Sequence, residues 1–415
     1  MKKYWLFHLS FTLLLTACNW KVFDDFEKQA TIQVIEPPGN FVGTNFGQVV
    51  SGVLDKNGNV IPNVFLVGGN GTTPLAIVRV DETNGSVSRT ACVSDEGIPV
   101  SSLTPLPATD DGRWRAIVSD GNYNSVHVVS FDPNEDKPHI TIESQLSLSN
   151  EFFGIATLTG YFHNDQTLEV AVVSSHSLYF FNDTLREIQQ QVDFASNFNF
   201  HVPAPQDAGT RIFVPFMRNN QLFLALGGQQ INNTNHKTAW AVLLIKVNSN
   251  EIQILKGDWS LSKEKVCSLS AGQINEDFND DLVVGICHST LVFEATNSND
   301  TWFNPTGSFQ ETGKMLGRIV SLMDINQDDT LELVISDPEQ AIDSKRNGEV
   351  LFYNVKYNVK TTKELLRLQS PPDEKRFGSS LFSLQTRNGR HELVVGGANA
   401  SYLFFLTRLF EDDTP

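Results

Sequence analysis

The stretch DINQDDTLELVIS, residues 324–336, sets Asp324, Asn326, Asp328 and Glu332 within nine residues and runs directly into an apolar, β-branched segment. Carboxylates crowded this closely repel one another, so something must offset their charge. Calcium is a hard cation that takes about six to eight oxygens, and side chains at alternate positions of a short loop can turn inward to supply them. An acidic, solvated turn is the plainer reading, yet it leaves the alternate spacing unexplained. Calcium is the chemistry these residues suggest, provided the rest of the chain builds a frame for such loops.

That frame is repetitive. An inner strand, a polar loop and a β-branched strand closed by Gly or Ser recur in FGQVVSGVLDKNGNVIPNVFLVGG from Phe46, FGIATLTGYFHNDQTLEVAVVSS from Phe153 and VCSLSAGQINEDFNDDLVVGICHS from Val266. LGRIVSLMDINQDDTLELVISDP from Leu316 and FGSSLFSLQTRNGRHELVVGGANAS from Phe377 repeat it, with eroded copies from Leu106 and Val202. Taking the residue just before each second strand as a marker gives Asn63, Arg115, Glu169, Arg211, Asp281, Glu332 and Glu392, about 55 residues apart. A unit of that length holds about four short strands, and SVHVV from Ser125, SLYFF from Ser177 and EVLFYNV from Glu349 supply later ones. Both faces of such a sheet need cover, and packing the sheets radially around an axis provides it.

The chain is therefore expected to be all-β, a seven-bladed β-propeller of four-stranded antiparallel blades, ahead of a pair of β-sandwiches or a β-helix. The last unit stops after its third strand, near Phe405, and Thr31 to Ile35 read as a lone strand ahead of the first unit. That N-terminal strand is expected to complete the seventh blade and close the ring.

Phe-Gly at 46–47, 153–154 and 377–378, with ELVISDP at 332–338 and ELVVGGA at 392–398, resembles the FG-GAP repeats, related to VCBS-like repeats, of the integrin alpha-subunit N-terminal β-propeller and its bacterial relatives. The Gly of each pair stands 16, 15 and 14 residues before its marker, and Gly317 stands 15 before Glu332. The resemblance covers most of residues 30–406, although the second and fourth units lack both Phe-Gly and the loop chemistry.

The resemblance implies that loop positions 1, 3, 5 and 9 offer side chains to calcium and position 7 a backbone carbonyl. In the sixth unit these are Asp324, Asn326, Asp328, Glu332 and the carbonyl of Thr330; Asp329 stands where Gly is usual, and Glu332 is longer than the usual Asp. The first unit offers Asp55, Asn57, Asn59, the carbonyl of Ile61, and Asn63, although KNGN also suits a plain hairpin turn. The fifth offers Asn275, Asp277, the carbonyl of Asn279, and Asp281, with Gln273 in place of the first acid. One to three structural Ca2+ ions follow from these loops. Tyr161, His163, Asp165 and Glu169 suit a hard cation poorly in the third unit, and the seventh keeps only Glu392. In the second and fourth, a guanidinium from Arg115 or Arg211 is placed to replace the ion by bonding Asp111 or Asp207.

The N-terminus reads as a processing signal. Lys2 and Lys3 precede an apolar run, Tyr4 to Leu15, that is too short to span a bilayer. Leu15-Thr16-Ala17-Cys18 resembles a bacterial lipobox, which implies a signal peptide over 1–17, lipid on Cys18, a tether over 18–29 and the propeller over 30–415. Asn19, not Asp, in the second mature position implies the outer membrane. A secretory signal with an incidental Cys is the alternative. No second apolar run approaches the length of roughly 18 residues that a spanning helix needs, so the lipid is the expected membrane attachment. The formal charge of −17 makes nucleic acid a poor partner.

Cys267 lies six residues before the loop 273–281 and Cys287 six after it. A symmetric hairpin brings them opposite, as a disulfide worth about 3 kcal/mol by loop entropy or as two buried thiols. Cys92 reads as a small buried residue.

HExxH, GxSxG and GxxxxGK[ST] are absent, so no enzyme is expected. The expected function is an outer-membrane-anchored, adhesion-like module that binds a protein or glycan through propeller loops. The alternatives are an envelope-assembly scaffold and, further off, a polysaccharide-degrading enzyme. Trp114, Tyr123, Trp240, Trp259 and Trp302 are either aromatic anchors for a ligand or blade-packing residues.

Overall fold

A Phe-Gly step can bury a ring between two sheets and press bare backbone against the neighbouring sheet. The chain uses the pair in this way. Phe46 is buried between the last sheet and the first, beside Leu403, Val394 and Val67. Phe153 is buried with Ile117 and Val128 on one side and Val170 and Val172 on the other. Phe377 does the same beside Val350 and Val395, and Leu316 replaces Phe beside Val283 and Leu333. Full burial of such a side chain contributes about 1.5–3 kcal/mol. Gly47, Gly154 and Gly378 have φ of 95°, 90° and 91°, and a Cβ at Gly378 would lie 2.1 Å from Ser336 Oγ. Only Gly meets both demands without strain. The closeness serves a bond: Ser336 Oγ donates to the Gly378 carbonyl at 2.7 Å, and Ser380 Oγ donates to that of Gly47 at 2.7 Å.

The computed structural model describes residues 32–406 except 74, 82–85, 121–123, 149–151, 164–166, 204–210, 232–237, 248–251, 256–264, 276, 299–300, 312–313, 327, 329, 346, 356–363 and 388. Seven antiparallel sheets follow one another: blade 1 over 43–92, blade 2 over 102–147, blade 3 over 156–193, blade 4 over 200–255, blade 5 over 268–310, blade 6 over 319–369 and blade 7 over 380–404. Each innermost strand touches that of the next blade, and Ser380–Gln385 of blade 7 touches Gly43–Leu54 of blade 1. The ring is closed. As expected, the N-terminal strand Ile32–Ile35 forms the outer edge of blade 7, with Ile32 opposite Phe404 and Ile35 opposite Ser401. Second strands such as EVAVV and DLVVG are buried throughout, because neighbouring blades cover both faces. Among the described residues helix is nearly absent; α1 (Phe194–Phe198) is a short turn capped by Asp193.

Six blades have four strands, and blade 4 has a fifth, Phe200–His201, on the long strand Gln221–Ile231. Two boundaries differ from the repeat pattern. In blade 4 the run after Arg211 is the innermost strand, Phe213–Arg218, and not the second one. Asn219 and Asn220, with φ of 50° and 57°, turn it directly into Gln221–Ile231. A two-residue turn with positive φ at both positions needs no polar loop, so this unit lacks the feature that marks the others. In blade 1 the second strand starts at Val60, ahead of the marker Asn63.

Candidate metal hairpins

In blade 6, Met323 pairs with Glu332, so residues 324–331 form the connecting loop. Glu332 is 0% exposed. Its Oε2 accepts the Ile325 N–H at 3.1 Å, while the Asn326 amide nitrogen lies 3.3 Å from its Oε1 and 3.2 Å from Asp328 Oδ2. The Asp328 N–H points at Asp324 Oδ1 at 3.2 Å and at Asn326 Oδ1 at 3.1 Å. Asp328 Oδ1 in turn accepts the Thr330 N–H at 2.9 Å and its hydroxyl proton. The side chains of positions 3, 5 and 9 thus meet at the Asn326 amide, and Asp324 at position 1 joins them through the Asp328 N–H. Burial, reinforced by the charges of Asp328 and Asp324, pushes the Glu332 carboxyl up to about 7.

The donor set fits a hard cation. The Asn326 amide nitrogen bridges two carboxylates, where a positive charge would be stabilised, and half a turn of the amide would present its oxygen instead. Among the described residues no three His, Cys, Asp or Glu side chains form a ready-made cage, so an ion would have to draw this loop inward.

Blade 5 repeats part of the arrangement. Gly272 pairs with Asp281, which is fully buried and accepts the Ile274 N–H at 3.0 Å on Oδ2 and the Ala295 N–H at 2.8 Å on Oδ1. Burial pushes its carboxyl up to about 6, helped by Asp277 and Glu294. Asn275 Oδ1 accepts the Asp277 N–H at 3.1 Å, and Asp277 Oδ1 accepts the Asn279 N–H at 2.9 Å. Asn279 Oδ1 and Asp280 instead clamp blade 4, accepting the N–H groups of Asn219 at 2.8 Å and Met217 at 2.6 Å. Phe278 follows position 5, the place where Gly is usual in the resembling repeats. It is 82% exposed with φ of 65°, so the loop takes the left-handed turn without Gly. Gln273 is exposed.

Blade 1 does not assemble in this way. Asp55 Oδ1 accepts the N–H groups of Asn57 at 2.8 Å and Asn59 at 2.9 Å, and Oδ2 accepts the Asn59 amide at 3.1 Å. The bonds from Asn59 and Asn57 hold its carboxyl below the ordinary value. Ile61 and Asn63 lie inside the strand Val60–Gly71; Asn63 is buried with φ of 61° and no hydrogen-bond partner for Oδ1. The ninth residue is not brought to the turn.

In the remaining units other groups meet the terminal acid or Arg. In blade 3, His163 bonds the buried Glu169 through its N–H at 2.8 Å and Nδ1 at 3.0 Å, filling the place of a cation; Asp165 lies outside the described residues. In blade 7, Glu392 accepts the Leu406 N–H. Arg115 pairs with Glu143 at 3.0 Å and Asp183 at 3.2 Å, whereas Asp111 takes the Thr109 hydroxyl. Arg211 donates to the Leu381 carbonyl in blade 7 at 3.3 Å, and Asp207 lies outside the described residues. The N–H groups of Ile274 and Ile325 escaped the sequence reading; their signal is an apolar residue at loop position 2.

Cys267 and Cys287 are bridged, with Cα atoms 5.5 Å apart. Since Ser268 pairs with Gly285 and Gly272 with Asp281, the bridge and the loop stand at opposite ends of one hairpin. Cys92 is a free, buried thiol pushed up to about 12 by burial. The segments expected to be a signal peptide (1–17) and a lipidated tether (18–29, with Cys18) lie outside the described residues, as do Tyr123 and Trp259. Trp302 is a packing residue, 4.8 Å from the Phe223 ring centre; Trp240 packs against the same core, and half-buried Trp114 lies under Arg79.

No family model matches the chain, and no curated protein matches it. Among solved structures, Saccharomyces cerevisiae Sqt1 is similar at 14% identity over 85% of this chain and 82% of that one, with a TM-score of 0.48. The complex of KlAtg21 with the coiled-coil of AgAtg16 is similar at 9% identity over 86% of this chain and 92% of that one, with a TM-score of 0.49. The chain is a seven-bladed β-propeller, on the strength of its own sheet topology.

Proposed function

We propose that this protein is an outer-membrane lipoprotein whose FG-GAP-like propeller, stapled by calcium, binds a protein or glycan. The observation that carries the calcium is Glu332. A fully buried carboxylate facing Asp328 through one amide is an unfavourable arrangement for an ion-free loop and a favourable one for a divalent ion. The ion is structural: it locks the hairpin between the first two strands of blade 6, and a second would do so in blade 5. The Phe-Gly pairs, buried between blades and bonded to the preceding blade, support the FG-GAP reading. Lipid on Cys18 would hold the propeller at the membrane, leaving its loop faces to engage a partner.

Calorimetric titration of EDTA-stripped mature protein with Ca2+ tests the staple. Saturable binding that disappears in Glu332→Gln is expected; absence of heat together with an unchanged melting temperature would sink it. Palmitate labelling lost in Cys18→Ser tests the anchor, and crosslinked pull-down from intact cells tests the partner.

A further inference from the structure

The ring encloses a central channel of about 430 Å³, lined by the inner strands of blades 1, 2, 3, 4, 6 and 7. Its walls are apolar side chains interrupted by hydroxyls such as those of Ser51 and Ser321, by Gln385 and by His391, whose Nδ1 lies 2.9 Å from Ser383 Oγ. Although the chain carries a formal charge of −17, no Asp or Glu stands among the described residues that line this space. Arg211 does. Its guanidinium is open to the channel and reaches from the start of the inner strand of blade 4 to that of blade 7, where Nη2 donates to the Leu381 carbonyl at 3.3 Å. A carbonyl offers a partial charge only, and the surrounding protein lowers the Arg211 pKa by desolvation. Because the residue is also exposed, its guanidinium can still receive an anion from the channel.

We propose that the central channel binds a small organic monocarboxylate, anchored on Arg211. The charge count selects a monoanion: one guanidinium neutralises one carboxylate, whereas inorganic phosphate near neutrality would leave negative charge buried. The planar fork of Arg matches a carboxylate in two parallel bonds. The space exceeds what a bare ion needs and falls within the range of small-molecule sites, about 300–1,000 Å³. Apolar walls carrying hydroxyls suit a ligand with its own hydroxyls, of the size of a sugar acid. The site is separate from the metal hairpins and does not depend on them.

The test is calorimetry on the mature protein at fixed ionic strength, with glucuronate, glucose and inorganic phosphate as probes. Glucuronate is expected to bind saturably and at least about tenfold more tightly than the other two. Arg211→Gln should lose about tenfold or more of that affinity while its melting temperature still responds to calcium as before, so failure here and failure of the calcium staple are separately visible. Should Arg211→Gln not fold, phenylglyoxal modification of the native protein replaces it: glucuronate must protect Arg211, and glucose must not. No saturable heat with glucuronate, equal affinity for phosphate, undiminished binding in Arg211→Gln or absence of protection would each overturn the proposal.

Discussion

The hairpins of blades 1 and 6 share a spacing and become different structures. DKNGNVIPN and DINQDDTLE both set oxygen-bearing side chains at positions 1, 3, 5 and 9. In blade 6 the ladder resumes at position 9, so Glu332 is the first paired residue of its strand and remains beside the loop. In blade 1 it resumes at Val60 opposite Leu54, and Asn63 is carried into the sheet. Gly58, with φ of 82°, lets the blade 1 chain reverse early, where blade 6 has Gln327. Spacing nominates a site, and hairpin register decides whether the oxygens share a centre.

The sharpest way to break this contrast is to truncate the corresponding acids. Glu332→Ala would leave the buried Ile325 N–H without its acceptor, at a cost of about 2–3 kcal/mol. Asp55→Ala removes bonds from an exposed turn and should cost about 0.5–1 kcal/mol. Equal losses in urea denaturation would erase the distinction.

The next effect is pH dependence without calcium. Because the folded state raises the Glu332 carboxyl to about 7, it holds that proton more tightly than the unfolded chain does. The resulting stability is fully present below the unfolded value of about 4.5 and is lost as pH rises through about 7, a change on the order of 2 kcal/mol. Calcium requires the deprotonated form, so its benefit should grow over the same window. Melting curves between pH 5 and 8, with and without EDTA, check both signs, and Asp55→Asn should leave the profile unchanged.

Calcium itself should add about 1.4 kcal/mol per site at tenfold excess over the dissociation constant. Glu332→Gln should abolish the blade 6 share, while Asn57→Ala and Asn59→Ala keep it; the reverse result would place the ion in blade 1. The smallest effect concerns Phe278. Its exposed ring gives little back for a left-handed backbone, so Phe278→Gly should stabilise the protein by about 0.5–1 kcal/mol, read as a shift in denaturation midpoint.

Much of the fold was legible because blades repeat. A ring buried between sheets and a Gly pressed against the preceding blade are needed at each junction, so Phe46-Gly47, Phe153-Gly154 and Phe377-Gly378 recur at similar distances from their markers. Blade 4 was misread where that need is met differently. Asn219-Asn220 reverses the chain in two residues, leaving RIFVPF to look like a second strand. Arg115 was paired with the wrong acid because its partners, Glu143 and Asp183, belong to an outer strand and to the next blade.

By itself, the chain's pattern of apolar runs and Phe-Gly steps favoured a ring of seven sheets closed by its first strand, because radial packing covers both faces of every sheet and leaves the terminal strands paired. The tertiary structure alone decided which hairpins gather their oxygens, since that turns on where each ladder resumes. It alone placed Arg211 in a channel with no acid among its described lining residues, and set Glu374 to accept from Ala398 at 2.9 Å, Asn399 at 3.1 Å and the Tyr402 hydroxyl at 2.7 Å. Such contacts join residues far apart in the chain. Local spacing carries no record of them.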